Sequence, residues 1–324
     1  MLQRKLTDIE GIKVGHEQDY KGATGCTVVL CEEGAIAGVD VEGGSPGTRE
    51  TDLLSPLNRV DKAHGILLSG GSAFGLDAAS GMMAYLESHE AGFDVGMTNV
   101  PIVPGAILFD LGIGDHEKRP DKKMGLQACE NASGSDCKEG TIGAGTGATV
   151  GKVLGMDRAM KGGLGTYCLQ AGELMVGAMV AVNCFGDVVN PETGQIIAGA
   201  LSDSDHFINT EEFMIKQFEN QKNKSQENTT IGVIASNAKL NKAEANKLAA
   251  MAHDGFARTM RPSHTMVDGD TIFTLATDKV ECDLDLVGLL AAEVMGEAVI
   301  RAVKMATTLH GVTSYSDLHR TEKA

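Results

Sequence analysis

Tryptophan is absent from this chain of 324 residues, and the aromatic share is only 4%. Aliphatic side chains must therefore supply most of the 42% apolar content, which still suffices for a sizeable core. Positive charge is also scarce. Lys and Arg number 28 against 44 Asp and Glu, and the net charge of −16 argues against nucleic acid or anionic membranes as partners, because it repels phosphate. None of the seven cysteines (Cys26, Cys31, Cys129, Cys137, Cys168, Cys184, Cys282) belongs to a C-x-x-C pair. Neither a zinc knuckle nor a thioredoxin-type redox pair is indicated, and the expectation is buried free thiols in a reducing compartment. No apolar run reaches 18 residues, and the opening MLQRKLTDIEGIKVGH has no apolar signal core, so no membrane span and a cytoplasmic setting are expected. There is no internal repeat. The seven prolines stand against 41 glycines without a collagen-like period, which points to many tight turns in a globular chain. The length fits one large α/β domain or two smaller ones.

What is present reads as strands and glycine turns first, then alternating strands and helices. Cys26–Cys31 and Ala35–Val41 are β-like runs joined by Glu32-Glu33-Gly34, a hairpin signal. Gly65–Leu68 reads as a buried strand leading through Ser69–Gly75 into a helix over 76–87, and residues 114–144 as a long polar surface excursion. Val176–Asn183 is another buried strand. Asn241-x-x-Glu244 is a capping box ahead of Leu248, Met251, Ala252 and Phe256 at helical spacing. A strand over Ile272–Ala276 and a helical stripe from Leu286 to Val303 complete a pattern that fits layered α/β architecture.

Several constellations could hold chemistry. From Asp205 a charged stretch without glycine or proline runs into Asn228-Thr229-Thr230 and the β-run Ile231–Ala235. If the Asn228–Thr229 bond lay exposed and were cut, Thr229 would carry a hydroxyl nucleophile and its own base, an α-amine of pKa about 7.7–8.0. A β-branched residue opening a strand explains the same letters without chemistry. Gly70-Gly71-Ser72-Ala73-Phe74-Gly75 fails the G-x-S-x-G pattern at Phe74 and reads as a tightly packed strand-to-helix turn, with Ser72 as a rival nucleophile. His264, Asp268 and Asp270, with His253, have metal-ligand residue types, although a tight turn or a hold on an amine explains the two aspartates equally well. Lys152 and Lys161 flank VGKVLGMDRAMKGG, and either could be functional. Asn183 ends an apolar strand, where its amide could meet an oxyanion or form a turn.

Taken together, IEGIKVGH (9–16), SGGSAFGLDAASG (69–81), GATVGK (147–152), KGGLGT (161–166), VAVNCFGDVVNPETGQIIAGA (180–200), NTTIGVIASNAKL (228–240) and MAHDGFARTMRPSHTMVDGDTIFTLAT (251–277) resemble a known family. It is the D-aminopeptidase/β-aminopeptidase hydrolases, and most closely their nylon-oligomer (6-aminohexanoate oligomer) endo-hydrolase branch. The resemblance spans nearly the whole chain. It implies a single hydrolase domain over 1–324 with a four-layer αββα sandwich like that of N-terminal-nucleophile hydrolases. It further implies self-cleavage into 1–228 and 229–324, and homo-oligomers, commonly tetramers, of such αβ units. Thr229 then matches the nucleophile, Asn228 the residue before the cut, Asn183 the oxyanion asparagine, Asp268 and Asp270 the pair around the nucleophile's amine, and Lys152 the site lysine. The substrate would be a small peptide or amide, with no metal or organic cofactor. The aminopeptidase branch differs in having Ser as nucleophile, Ser-x-Glu at the later turn, and a tyrosine without counterpart near 104–110. The rivals are a metal- or small-ligand-binding protein using His253, His264, Asp268 and Asp270, and a serine hydrolase built on Ser72.

Overall fold

The structure is a computed structural model that describes residues 1–219 and 228–321. Ten strands are joined by hydrogen bonds, nine of them in one path: β1 (Leu2–Arg4), β2 (Lys13–Asp19), β3 (Thr24–Val41), β4 (Thr48–Arg49), β5 (Lys62–Ser69), β6 (Gly105–Ile107), β7 (Gly163–Ala171), β8 (Leu174–Val182), β9 (Ile231–Ala238) and β10 (Thr271–Val280). Their order is β1-β7-β8-β9-β10-β3-β5-β6-β4, with β2 also on β3. Only β9–β10 and β5–β6 run parallel. The helices are α1 (Ala78–Ser88), α2 (Lys122–Glu130), α3 (Thr210–Glu219), α4 (Lys242–Thr259), α5 (Leu284–Met305) and α6 (Tyr315–Thr321).

β3 makes two layers out of that path. Its first half pairs with β2 and β5, its second half with β10, and the register on β5 shifts between Leu30 and Ala35. The residues expected to turn a hairpin, Glu32-Glu33-Gly34, instead lie within one continuous strand, where Gly34 takes φ +77°. A glycine in that left-handed conformation serves a bulge as readily as a turn.

Side-chain alternation then sorts the core into three apolar seams. Val29, Ile66 and Leu68 of one sheet meet Met179, Val233, Phe273 and Leu275 of the other in the central seam. The intervening residues Ala178, Val180, Ile234 and Ile272 face Phe256, Leu290, Val294 and Met295 of α4 and α5. On the opposite side Val28, Leu30 and Leu67 face Ala78, Met82 and Ala128 of α1 and α2. Each fully buried aliphatic or aromatic side chain contributes roughly 1.5–3 kcal/mol, so these seams dominate stability. Three seams between four layers make the molecule an αββα sandwich, as expected.

Local signals set the helices. Asn241 caps α4 by accepting from Glu244 N (3.0 Å) while Glu244 accepts from Asn241 N (2.8 Å). Asp283 caps α5, whose buried Val287, Leu290, Val294, Ala298 and Val303 recur every three to five residues. The supposed surface excursion 114–144 contains α2, which packs on α1. A Cβ on Gly125 would stand 1.9 Å from Ala78 O, so the two helices touch along their backbones. That contact leaves no apolar stripe in the sequence to reveal it. All seven cysteines are free, five of them buried. No described helix is long and apolar enough to cross a membrane.

Candidate active site

The end of β8 and the starts of β9 and β10 lie side by side: Ala181 pairs with Ile231, and Ile231 with Thr271. The residues just outside those strands are therefore brought together, namely Asn183, Asn228–Thr230 and Asp268–Asp270. Three successive peptide N–H groups at the head of β9 are pinned. Asn228 N donates to Val267 O (2.7 Å), Thr229 N to Asn183 O (3.1 Å) and Thr230 N to Asp270 Oδ1 (2.9 Å). The Thr229 hydroxyl contacts the Asn228 carbonyl oxygen. Gly269 faces that hydroxyl, since a Cβ there would stand 2.7 Å from Thr229 Oγ1. The polar stretch before it could have left the 228–229 bond exposed, but Asn228 and Thr229 are 1% and 2% exposed, held against the sheet ends by these pinned amides. Residues 220–227 of the polar stretch before it lie outside the described residues.

Asn183 is wholly buried and its amide is oriented at both ends. Oδ1 accepts from Thr149 N (2.9 Å) and Lys152 Nζ (2.8 Å), and Nδ2 donates to Phe109 O (3.0 Å). Two donors on one atom settle which end of the amide is oxygen. Lys152 Nζ also donates to Asn183 O at 3.0 Å, the same oxygen that receives Thr229 N. Burial pushes Lys152 down to about 8, with the Cys184, Asp268 and Asp110 side chains opposing.

The two aspartates point to different partners. Asp268 accepts from Phe185 N (3.2 Å) and from the Thr265 hydroxyl and N–H. Burial and the neighbouring Asp270 carboxylate raise it to about 6. Asp270 Oδ2 accepts from His264 N (3.0 Å) and lies 2.9 Å from His264 Nδ1. Burial disfavours the His264 cation, but the Asp270 hydrogen bond and charge outweigh burial and hold the imidazole above its ordinary value. Neither carboxylate hydrogen-bonds Thr229 N in the intact chain, where that nitrogen has one proton and gives it to Asn183 O.

The rival constellations fare differently. The His253 and His264 rings meet edge to face at 4.8 Å, with His253 Nε2 3.3 Å from Asp40 O, and burial lowers His253 to about 4. Among the described residues no three His, Cys, Asp or Glu side chains form a group able to hold a metal. Ser72 stands at φ +53° in the turn before α1, and no described histidine, lysine or carboxylate hydrogen-bonds its hydroxyl. That turn serves Asp110 instead, through Gly71 N (2.7 Å). Thr149 N and the Phe109 carbonyl join the cluster without any signal in the sequence, since backbone groups leave none, and Thr265 joins it through its hydroxyl as well as its N–H. A cleft of about 350 Å³ lined by Gly112–Gly114, Met156–Ala159 and His310–Thr313 lies alongside, with Met156 Sδ 3.9 Å from Thr149 Oγ1. It is not lined by Thr229, Asn183, Asp268 or Asp270.

The layer order and strand pairing are those of the fold seen in N-terminal-nucleophile hydrolases. The L-aminopeptidase D-Ala-esterase/amidase of Ochrobactrum anthropi, described as a variant of that fold, superposes with a TM-score of 0.72 at 18% identity, covering 98% of this chain and 94% of that one. The model of peptidase family S58 matches residues 4–316, and the chain belongs to that family. It is thus a hydrolase of the peptidase and amidase class. An uncharacterised aminopeptidase of Mycobacterium leprae is 41% identical over 96% of this chain and 92% of its own length. The 6-aminohexanoate-oligomer endohydrolase of Kocuria sp. (strain KY2) is 31% identical over 92% of this chain and 85% of its own.

Proposed function

We propose that the chain is a self-processing amide hydrolase with Thr229 as nucleophile. The observation that supports this best is the Thr229 hydroxyl, lodged against its own preceding carbonyl inside a cluster of amide, ammonium and carboxylates. In processing, Oγ1 attacks the Asn228 carbonyl carbon, an O–C bond forms, and the C–N bond to Thr229 breaks as the nitrogen gains a proton. Water then hydrolyses the resulting ester, leaving 1–228 and 229–324 as two fragments of one domain and a free amine on Thr229. With Thr229, Asn183, Asp268, Asp270 and Lys152 all at most 3% exposed in the intact chain, the cut is also what opens the site.

In turnover the Thr229 amine, directly or through water, takes the Oγ1 proton while Oγ1 attacks a substrate amide carbonyl. The remaining Nδ2 proton of Asn183 meets the oxyanion. Lys152, on Asn183 Oδ1, polarises the amide and strengthens that donor. Once cleaved, Thr229 nitrogen carries additional protons, and Asp268 and Asp270 are the carboxylates at hand to orient it. The leaving amine departs with a proton, and water releases the acyl group. Short peptides and aminohexanoate oligomers are the substrates suggested by the names of its relatives. Oligomers of αβ units in the cytoplasm belong to the same reading.

Intact-mass measurement of purified protein tests the processing step. Masses matching 1–228 and 229–324 are expected, in fragments that stay associated. A fully active enzyme that remains one chain of 33.9 kDa would overturn it.

Lys152 gives a pH signature. In the intact chain burial holds it down to about 8, and the opening of the site moves it upward; while charged it polarises Asn183, and as pH rises through its pKa the proton leaves and kcat should decline. Lys152→Met should lower kcat and remove this alkaline limb. A wild-type kcat that stays level to pH 10 would take Lys152 out of the role.

A further inference from the structure

We infer that Asp110 and Lys161 are positioning residues that lock the Asn183 amide in the orientation from which it donates to an oxyanion. This rests on the role proposed for Asn183 above. Its amide is aimed by two main-chain segments: Phe109 O takes one Nδ2 proton, and Thr149 N holds Oδ1. Each segment is fastened by one buried charge that the proposed chemistry does not use.

Asp110 follows Phe109 directly and is 4% exposed. Its Oδ1 accepts from Gly71 N (2.7 Å) and its Oδ2 from Thr24 Oγ1 (2.7 Å), which ties the 109–110 segment to β3 and to the turn before α1. Lys161 is wholly buried, and its Nζ donates to Thr146 O (2.8 Å) and Ala148 O (2.7 Å), the carbonyls on either side of Gly147. Asp110 lies against that same glycine. A Cβ on Gly147 would stand 2.6 Å from Asp110 Cβ and 2.7 Å from Oδ2. Residue 147 is thus clamped between the carboxylate and the lysine hook, and the next two residues deliver Thr149 N to Asn183.

Burying two charged groups is costly, and neither finds a partner within salt-bridge distance among the described residues. Burial raises Asp110 to about 6 and lowers Lys161 to about 7. An apolar pair would fill the same space more cheaply but could not hold carbonyls and amides at fixed places. Fixed placement is what an oxyanion donor needs, since a shift of about 1 Å can cost about a hundredfold in rate.

The test is saturation kinetics on the processed enzyme with a p-nitroanilide amide, for Asp110→Asn, Lys161→Met, Asn183→Ala and the double variant Asp110→Asn/Asn183→Ala. Asp110→Asn keeps the volume and an acceptor for Gly71 N but loses the charge. It is expected to lower kcat by about tenfold to a hundredfold with KM unchanged. Asp110→Ala should lose more, and the double variant should be no slower than Asn183→Ala alone. Where a variant stays uncut, its self-cleavage rate is compared instead, with Asn183→Ala as the reference for whether that step depends on the same amide. If Lys161→Met fails to fold, Asp110→Asn and the double variant decide. Wild-type kcat in Asp110→Asn, a loss confined to KM, or additive losses in the double variant would each overturn the inference. If Asn183→Ala lowers kcat while Asp110→Asn does not, the proposed function stands and only this inference falls. If Asn183→Ala turns over at the wild-type rate, this inference falls with the role proposed for Asn183, and Thr229 as nucleophile is left standing.

Discussion

Thr229→Ala is expected to abolish amide hydrolysis, by on the order of a millionfold, and to leave the chain uncut. The same oxygen is asked to act twice, first on the Asn228 carbonyl it touches and then on a substrate. Alanine keeps the N–H that donates to Asn183 O and the Asn228 N–H on Val267 O, so the head of β9 stays in place. Only a hydroxyl and a methyl group are lost from the site, and circular dichroism should show an unchanged fold. Thr229→Ser retains hydroxyl and amine but frees χ1, because the second substituent on Cβ is gone. It should keep part of both activities. Alanine at 229 with wild-type turnover would place the nucleophile elsewhere, and a serine variant as dead as alanine would show that the methyl group sets the Oγ1 position.

How much of this could be read from the chain differs between fold and site. Continuous apolar runs at Val176–Asn183 and Ile231–Ala235 foretell strands buried on both faces, and the stripe through Leu290 and Val294 foretells a helix because a helix repeats at 3.6. The bend of β3 is not legible. Glu32-Glu33-Gly34 turns back in a hairpin or merely bulges according to which strands lie on either side, and β5 and β10 are distant in sequence. The convergence of Asn183, Thr229, Asp268, Asp270 and Lys152 follows from the strand order, and family-level motifs pointed to these five. The divergence of the two aspartates was not written in Asp268-Gly269-Asp270, which reads equally as a metal turn. Their partners, Phe185 N on one side and Thr230 N with His264 on the other, are set by the loops that close over the strand ends. Lys161 was visible only as a lysine beside glycines. Asp110 gave no signal, because its partners are a glycine N–H and a threonine hydroxyl far away in the chain.

Asn183→Ala should lower kcat by about 10²–10³-fold, the usual effect of removing one oxyanion donor. The contacts around Asn183 imply a stability loss as well. Thr149 N and Phe109 O lose their described side-chain partner, and Lys152 Nζ keeps only the main-chain oxygen of residue 183. Each buried group left unsatisfied costs about 1–3 kcal/mol, so a fall in the unfolding midpoint should accompany the kinetic loss. Asn183→Asp separates the two effects. A carboxylate still accepts from Thr149 N and gains an ion pair with Lys152 Nζ, which offsets the meeting of its second oxygen with Phe109 O, but it offers no proton and sets negative charge where the oxyanion forms. Aspartate should therefore be the more stable variant and the slower one. Equal rates for alanine and aspartate, both near wild type, would show that the oxyanion is met by another donor.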